Sequence, residues 1–220
     1  MTTRFTKRTG GVSHGAFASL NLGTHVGDEL ADVLRNREIL ASKVGPTQFM
    51  NQVHGDRIAL IEEVTEEIPT ADALVTGIPG ISLAVMVADC IPLLLKSPES
   101  VAAVHVGRRG LVNEITRKTI SVMREMGASQ ITAIIGPAIC GSCYEVSEDI
   151  YHEVIATHPF AESRTATGSY ALDLPAALRS VLSDDGVAIV NKFECTVEND
   201  EYFSYRRDGV TGRQAGVISL

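Results

Sequence analysis

Ile81–Gly110, ISLAVMVADCIPLLLKSPESVAAVHVGRRG, is the stretch on which the fold turns. It contains three apolar runs of strand length, Ile81–Ala88, Pro92–Lys96 and Val101–Val106, separated by turn-forming residues. The first and last are apolar on both faces, the pattern expected of central strands covered on each side. Asp89-Cys90 falls at the end of the first run and His105 inside the third, with a hairpin-like pair predicted to flank Cys90.

Outward from this stretch, strands and helices mix without a strict βαβ beat. Asp28–Lys43 has apolar residues near helical spacing, acids in its first turn and Gly45-Pro46 as a stop. Leu111–Met126, Ser147–Thr157 and Leu174–Leu182 also read as helices, and Ile58–Val64, Ile131–Ile135, Val187–Asn191 and Gln214–Ser219 as strands. Thr9–Ser13 and Ser19–Gly23 read as glycine-punctuated loops. The expectation is an α+β fold with mixed sheets packed together and covered by helices. Neither linker nor repeat divides the 220 residues, so one domain over 1–220 is expected.

Composition excludes several classes. With 45% hydrophobic residues but no apolar run near the roughly 20 residues that span a bilayer, the chain reads as globular and not membrane-embedded. The N-terminus has no apolar core of a secretory signal, which makes the cytoplasm the default. A net charge of −8 without a basic block argues against a nucleic-acid or membrane surface, although a local arginine cluster can still hold one anion. Four cysteines are too few for a disulfide scaffold of this size.

His54, Cys90 and His105 each lie beside a glycine, a proline or a strand end, where a side chain can face a cleft. Two imidazoles and a thiolate suit Zn²⁺, and three protein ligands leave a fourth position for water or substrate. The same residues also allow a nucleophilic Cys90 with a histidine, His54 or His105, as base and Asp89 as orienter. They equally allow buried, satisfied side chains without chemistry. Cys140-Gly-Ser-Cys143 has the outward form of a metal or redox pair, with Cys195 as the remaining thiol, or simply marks a loop. Arg8, Arg57, Arg108, Arg109, Arg206 and Arg207 cluster in glycine-containing segments, and guanidinium forks bind phosphate or carboxylate.

Arg8-Thr-Gly-Gly-Val-Ser13, Ser19-Leu-Asn-Leu-Gly23, Gln52-Val-His-Gly55, Ala88-Asp-Cys-Ile-Pro92, His105-Val-Gly-Arg-Arg-Gly110, Gly136-Pro-Ala-Ile139, Cys143-Tyr-Glu-Val146, Cys195-Thr-Val-Glu-Asn199 and Phe203-Ser-Tyr-Arg-Arg-Asp208 together resemble the YfiH-like laccase-domain family. The resemblance runs in order from Arg8 to the C-terminus. It implies an α/β/β/α-like layered fold and a zinc site at His54, Cys90 and His105. It also implies phosphorolysis of adenosine, inosine, guanosine and S-methyl-5′-thioadenosine, with an accompanying adenosine deaminase activity. In that picture Arg8 or Arg109 holds phosphate, Asn21 a polar edge of sugar or base, and Asp89 carries a proton, with Glu145 and Arg206 as further candidates. Arg108 replaces the tryptophan usual in the family's H-A-G-W-R-G motif and is expected to matter less than Arg109. The partners are then a purine nucleoside and phosphate, and the chain a monomer or small homo-oligomer. An alternative family role is correction of wrongly built peptidoglycan precursors, here as a Cys90 hydrolase or amidase. A non-enzymatic zinc-stabilised binding protein is a third.

The oxidase label is testable on the sequence. A multicopper oxidase needs about ten histidines, largely in His-x-His pairs. The six here, His14, His25, His54, His105, His152 and His158, form no such pair. Copper is expected at most as an adventitious occupant of a His, Cys, His site.

Overall fold

The computed structural model describes residues 1–220. In chain order the elements are β1 (Thr2–Phe5), α1 (Leu30–Val44), β2 (Thr47–Gln48), β3 (Ile58–Leu60), β4 (Ala73–Thr76) and β5 (Ser82–Val87). Next come β6 (Ile91–Lys96), β7 (Val101–Val106), α2 (Arg108–Val112), α3 (Ile115–Glu125) and β8 (Thr132–Ile135). The chain ends with α4 (Glu148–Ile155), β9 (Glu162–Arg164), β10 (Tyr170–Leu172), α5 (Leu174–Asp184), β11 (Ala188–Asn191), α6 (Tyr205–Asp208) and β12 (Gln214–Ser219).

The strands form a six-stranded sheet, β11-β8-β6-β7-β4-β3, a four-stranded sheet, β1-β12-β5-β2, and the small β9–β10 pair. Both larger sheets are mixed: β11–β8, β3–β4 and β2–β5 run parallel and the other pairs antiparallel. Strand side chains alternate faces, and that alternation separates the layers. Leu93 and Leu95 of β6 and Ala102 and Val104 of β7 join a core with Ile115, Ile120 and Met123 of α3 and Leu178 of α5. Their neighbours Leu94, Val101 and Ala103 point the other way and meet Leu83, Val85 and Val87 of β5. Ala84 and Met86, on the outer face of β5, pack with Ala215, Val217 and Leu40 of α1. The result is the expected α+β order of helix, sheet, sheet and helix. The continuous apolar runs of β5 and β7 follow from burial on both faces.

The predicted hairpin around Cys90 does not form. β5 pairs with β12 and β2, whereas β6 pairs with β7 and β8, so Ala88-Asp89-Cys90 steps from one sheet to the other. Asp89 makes the step at φ 92°, a left-handed conformation that needs tertiary support in a non-glycine residue. The tight hairpin is β6–β7, closed by Ser97 N–H donating to the Ser100 carbonyl at 2.9 Å. The single helix expected over Leu111–Met126 is also divided, because Glu114 adopts φ 61° between α2 and α3. Asn113 accounts for the break: its amide donates to the Gly55 carbonyl at 2.8 Å and its side-chain oxygen accepts Ile115 N–H, tying the helix start to the His54–Gly55 loop. β3 stops at Leu60, short of the expected Val64, with a bend at Glu62-Glu63.

Candidate active site

Three segments meet where the two sheets separate: the Asn51–Gly55 loop, the β5-to-β6 step and the end of β7. They bring His54, Cys90 and His105 together, with all three donor atoms within 4.8 Å of one another. Cys90 Sγ lies 3.8 Å from His54 Nε2, and the two imidazoles meet edge to face with centroids 4.6 Å apart. A tetrahedral ion with metal–sulfur and metal–nitrogen bonds of about 2.3 and 2.05 Å sets its N and S donors about 3.6 Å apart, so the spacing suits a shared metal.

Asp72 holds this arrangement. Fully buried just before β4, it accepts His105 Nδ1–H at 2.8 Å and the backbone N–H groups of Val53, His54 and Gly55 at 3.2, 3.0 and 2.7 Å. One carboxylate thereby directs His105 Nε2 toward Cys90 and fixes the loop that carries His54, which sits at φ 57°. Burial alone would push the Asp72 carboxyl up, but the His105 hydrogen bond and the loop amides outweigh it and hold the carboxyl below its ordinary value. Gln52 secures the same loop from the other side. Its amide donates to the Met86 carbonyl at 2.7 Å and accepts Met86 N–H at 2.8 Å, extending β5 by a side chain in place of a strand.

Burial likewise raises the Cys90 thiol, yet the positive charge and hydrogen bond of His105, followed by those of His54, bring it down from 9.0 to about 6. His105 moves the opposite way: burial lowers it, and the Cys90 thiolate with Asp72 overrides burial and raises it to about 9. In the metal-free protein the pair is a thiolate and an imidazolium. Gly107 leaves room for it, since a Cβ there would lie 2.9 Å from Cys90 Sγ and 3.3 Å from His54 Cδ2.

The donors open onto a cleft of about 330 Å³, within the range of small-molecule sites. Met86, Val87, Ala88, Ile139, Tyr144 and Tyr205 line it, and His25, Arg206 and Arg213 supply polar and cationic groups. Burial first, then the charges of Arg213 and Arg37, hold His25 below its ordinary value and keep its imidazole neutral. Arg213 spends Nη1 on the Thr211 and Gly212 carbonyls, and Arg206 spends Nη1 on the Glu145 carbonyl. Each keeps the rest of its fork for a ligand.

The residues expected to bind substrate divide unequally. Arg206 lines the cleft, whereas Arg8, Asn21, Arg109 and Glu145 do not. Arg8 donates to the Ala18 carbonyl and lies over the Phe203 ring. Asn21 is fully buried, bonded to Gly23, Asp28 and the Arg213 N–H. Arg109 is exposed on α2, while half-buried Arg108 lies near Tyr144 and pairs with Glu153 at 3.6 Å; neither lines the cleft. Asp89 accepts Thr196 Oγ1, Ser204 Oγ and Arg206 N–H at 2.7, 2.6 and 2.6 Å, so its carboxylate ties the β5-to-β6 step to the Thr196 segment and to the start of α6.

Asp72, His25 and Arg213 escaped the sequence reading. Asp72 alone had a visible signal, a single carboxylate inside the apolar run Ala71–Val75, where burial demands partners.

A family model described as multi-copper polyphenol oxidoreductase laccase matches residues 2–220. The chain belongs to this family. A purine nucleoside phosphorylase of Corynebacterium glutamicum is 43% identical, with 98% of this chain and 93% of that protein aligned. A crystal structure of a Neisseria meningitidis protein superposes with a TM-score of 0.91 at 40% identity, covering 99% of this chain and 93% of the other. The Bacillus licheniformis protein YfiH superposes with a TM-score of 0.87 at 31% identity, covering 100% and 92%. The YfiH-like resemblance and the layered fold therefore hold. Of the six histidines, only His54 and His105 share a metal-type cluster. No helix is long and apolar enough to cross a membrane.

Proposed function

We propose that the protein is a zinc-dependent purine nucleoside phosphorylase acting on adenosine, inosine, guanosine and S-methyl-5′-thioadenosine. The observation that carries the reading is a cleft with His54, Cys90 and His105 at its floor and the free guanidinium edges of Arg206 and Arg213 on its wall. The relatives named purine nucleoside phosphorylase support it.

When bound by His54, Cys90 and His105, zinc supplies a Lewis acid that polarises an oxygen ligand. Arg206 and Arg213 hold phosphate by charge-assisted hydrogen bonds, concentrating positive charge where the transition state needs it. Tyr144 and Tyr205 offer aromatic surface to the purine, and Met86, Val87 and Ile139 keep water from the anomeric carbon. A phosphate oxygen forms the new bond to C1′ as the C1′–N9 bond breaks, and the electron pair leaves with the purine. Deamination needs a free proton carrier near purine C6. Asp89, the only carboxylate lining the cleft, is already bonded to three donors, which favours phosphorolysis.

A second reading rests on Cys90, His105 and Asp72, which without metal form a thiolate, imidazolium and carboxylate series suited to a hydrolase or amidase. Asp72, not Asp89, would be the orienter.

The test is inosine turnover with and without phosphate. Phosphorolysis yields ribose 1-phosphate at a rate rising with phosphate, and Arg213→Lys weakens apparent phosphate affinity about tenfold or more, the worth of one charge-assisted bond. Arg109→Lys leaves it unchanged. Free ribose released independently of phosphate refutes the reading.

A further inference from the structure

We propose that Cys140, Cys143, Cys195 and Glu198 form a second metal site, a closed structural zinc centre separate from the cleft. Their donor atoms all lie within 4.8 Å of one another, although the two halves of the cluster are more than 50 residues apart in sequence. Both halves have the same spacing. Cys140-Gly-Ser-Cys143 and Cys195-Thr-Val-Glu198 each place two donors across a two-residue turn, as in structural zinc sites assembled from paired knuckles.

The backbone builds each knuckle. Cys143 and Tyr144 N–H groups both donate to the Cys140 carbonyl at 3.1 Å, which folds the first turn and sets its two thiols on one side. Gly141 allows the turn to lie against β9 and the connection from β10 to α5, since a Cβ there would sit 2.7 Å from Ser163 Oγ and 2.8 Å from Asp173 Cβ. In the second knuckle Asn199 N–H donates to the Cys195 carbonyl at 3.0 Å, curling Glu198 back over Cys195. A parallel bridge between Ala138 and Cys195 locks the two together, with Ala138 N–H bonded to Glu194 and Thr196 N–H to Ala138.

The distances agree with coordination. Glu198 Oε1 lies 3.9 Å from Cys140 Sγ and 3.7 Å from Cys143 Sγ. A tetrahedron with zinc–sulfur and zinc–oxygen bonds of about 2.3 and 2.0 Å has an S to O edge of about 3.5 Å. None of the chain's four cysteines is tied up in a disulfide. Three thiolates select a thiophilic ion over magnesium or calcium, and four protein donors leave no open position, so the centre holds structure and does not turn over substrate. Binding Zn²⁺ releases the three thiol protons to solvent. The clamp would fix the segment from Ile139 to Glu145, which supplies Ile139 and Tyr144 to the cleft and the carbonyl that anchors Arg206.

The test uses the full chain purified under reducing conditions, with metal counted by elemental analysis and native mass spectrometry. In a Cys90→Ala background, which disables the cleft ligands, one equivalent of zinc remains. Adding Cys195→Ser removes it. Replacement by Co²⁺ in that background gives thiolate-to-metal absorption roughly three times that of a one-thiolate site, in proportion to the sulfur donors. If Cys195→Ser fails to fold, peptide-resolved alkylation of the wild type decides: Cys140, Cys143 and Cys195 are protected together until a chelator is added, and Glu198→Gln shortens that protection. Metal-free Cys90→Ala protein after zinc reconstitution, with all three cysteines alkylated at the denatured rate, overturns the proposal. So does a chain lighter by the mass of two hydrogens with a disulfide among these cysteines.

Discussion

Asp72→Asn changes one atom and tests the organisation of the cleft floor. Each carboxylate oxygen of Asp72 serves two donors: Oδ1 accepts His54 N–H and His105 Nδ1–H, and Oδ2 accepts Val53 and Gly55 N–H. An asparagine has one acceptor oxygen, so in either orientation its NH₂ faces two donors. With NH₂ toward Val53 and Gly55 the loop carrying His54 is released. With NH₂ toward His105 the imidazole must present the wrong tautomer and His54 N–H is orphaned. Two charge-assisted hydrogen bonds worth about 1.5–3 kcal/mol each are lost in a fully buried site. Loss of a carboxylate behind a metal histidine costs about 10–100-fold in metal affinity. Because the same substitution also frees a second ligand, the upper end is expected, about 100-fold or 2.8 kcal/mol. Competition titration against a chelator measures this, alongside urea unfolding of the metal-free variant to report the stability loss. Wild-type metal affinity in a folded Asp72→Asn protein would refute the reasoning, since His105 would then need no orienting partner.

Three further outcomes follow from the same geometry. Gly107→Ala should fold, because φ −89° suits alanine, yet its methyl meets both Cys90 and His54, so metal affinity should fall at least about tenfold, one 1.4 kcal/mol step; unchanged affinity in the chelator titration would show that the contact relaxes freely. In metal-stripped protein, iodoacetamide labelling of Cys90 should titrate with a midpoint near 6 and not near 9.0, and because the folded value is the lower one, the stability contributed by this thiolate is present above the unfolded value and is lost as pH falls toward 6. His54→Ala, Cys90→Ala and His105→Ala should each lose the cleft metal and nearly all turnover, as a site with one ligand of three removed cannot retain its ion; a variant that keeps full cleft occupancy takes its residue out of the ligand set.

Much of the fold was legible because burial on both faces leaves a local mark. β5, β6 and β7 read directly as apolar runs, and α5 and β12 start where their periodicity starts. β1, β4, β9 and β10 did not, since a strand of three or four residues carries too few alternations to distinguish it from loop. Pairing was hidden for a different reason. Nothing local in Ile81–Lys96 says that β5 and β6 belong to separate sheets, because hydrogen-bond partners such as β12 lie more than 100 residues away.

The candidate site divides in the same way. His54, Cys90 and His105 were candidates from residue type and position, with buried side chains without chemistry equally open, and the family resemblance marked them as a zinc site. Their partner Asp72, the place of Arg213 beside Arg206 on the cleft wall, and the meeting of Cys140-x-x-Cys143 with Cys195-x-x-Glu198 were decided only by tertiary structure. That Arg213 lines the cleft and Arg8 and Arg109 do not was too. Residue type states what a side chain can bind. Which side chains share a cavity, and which have already spent their hydrogen bonds on backbone, depends on contacts between segments distant in sequence, and these exist only once the two sheets have packed.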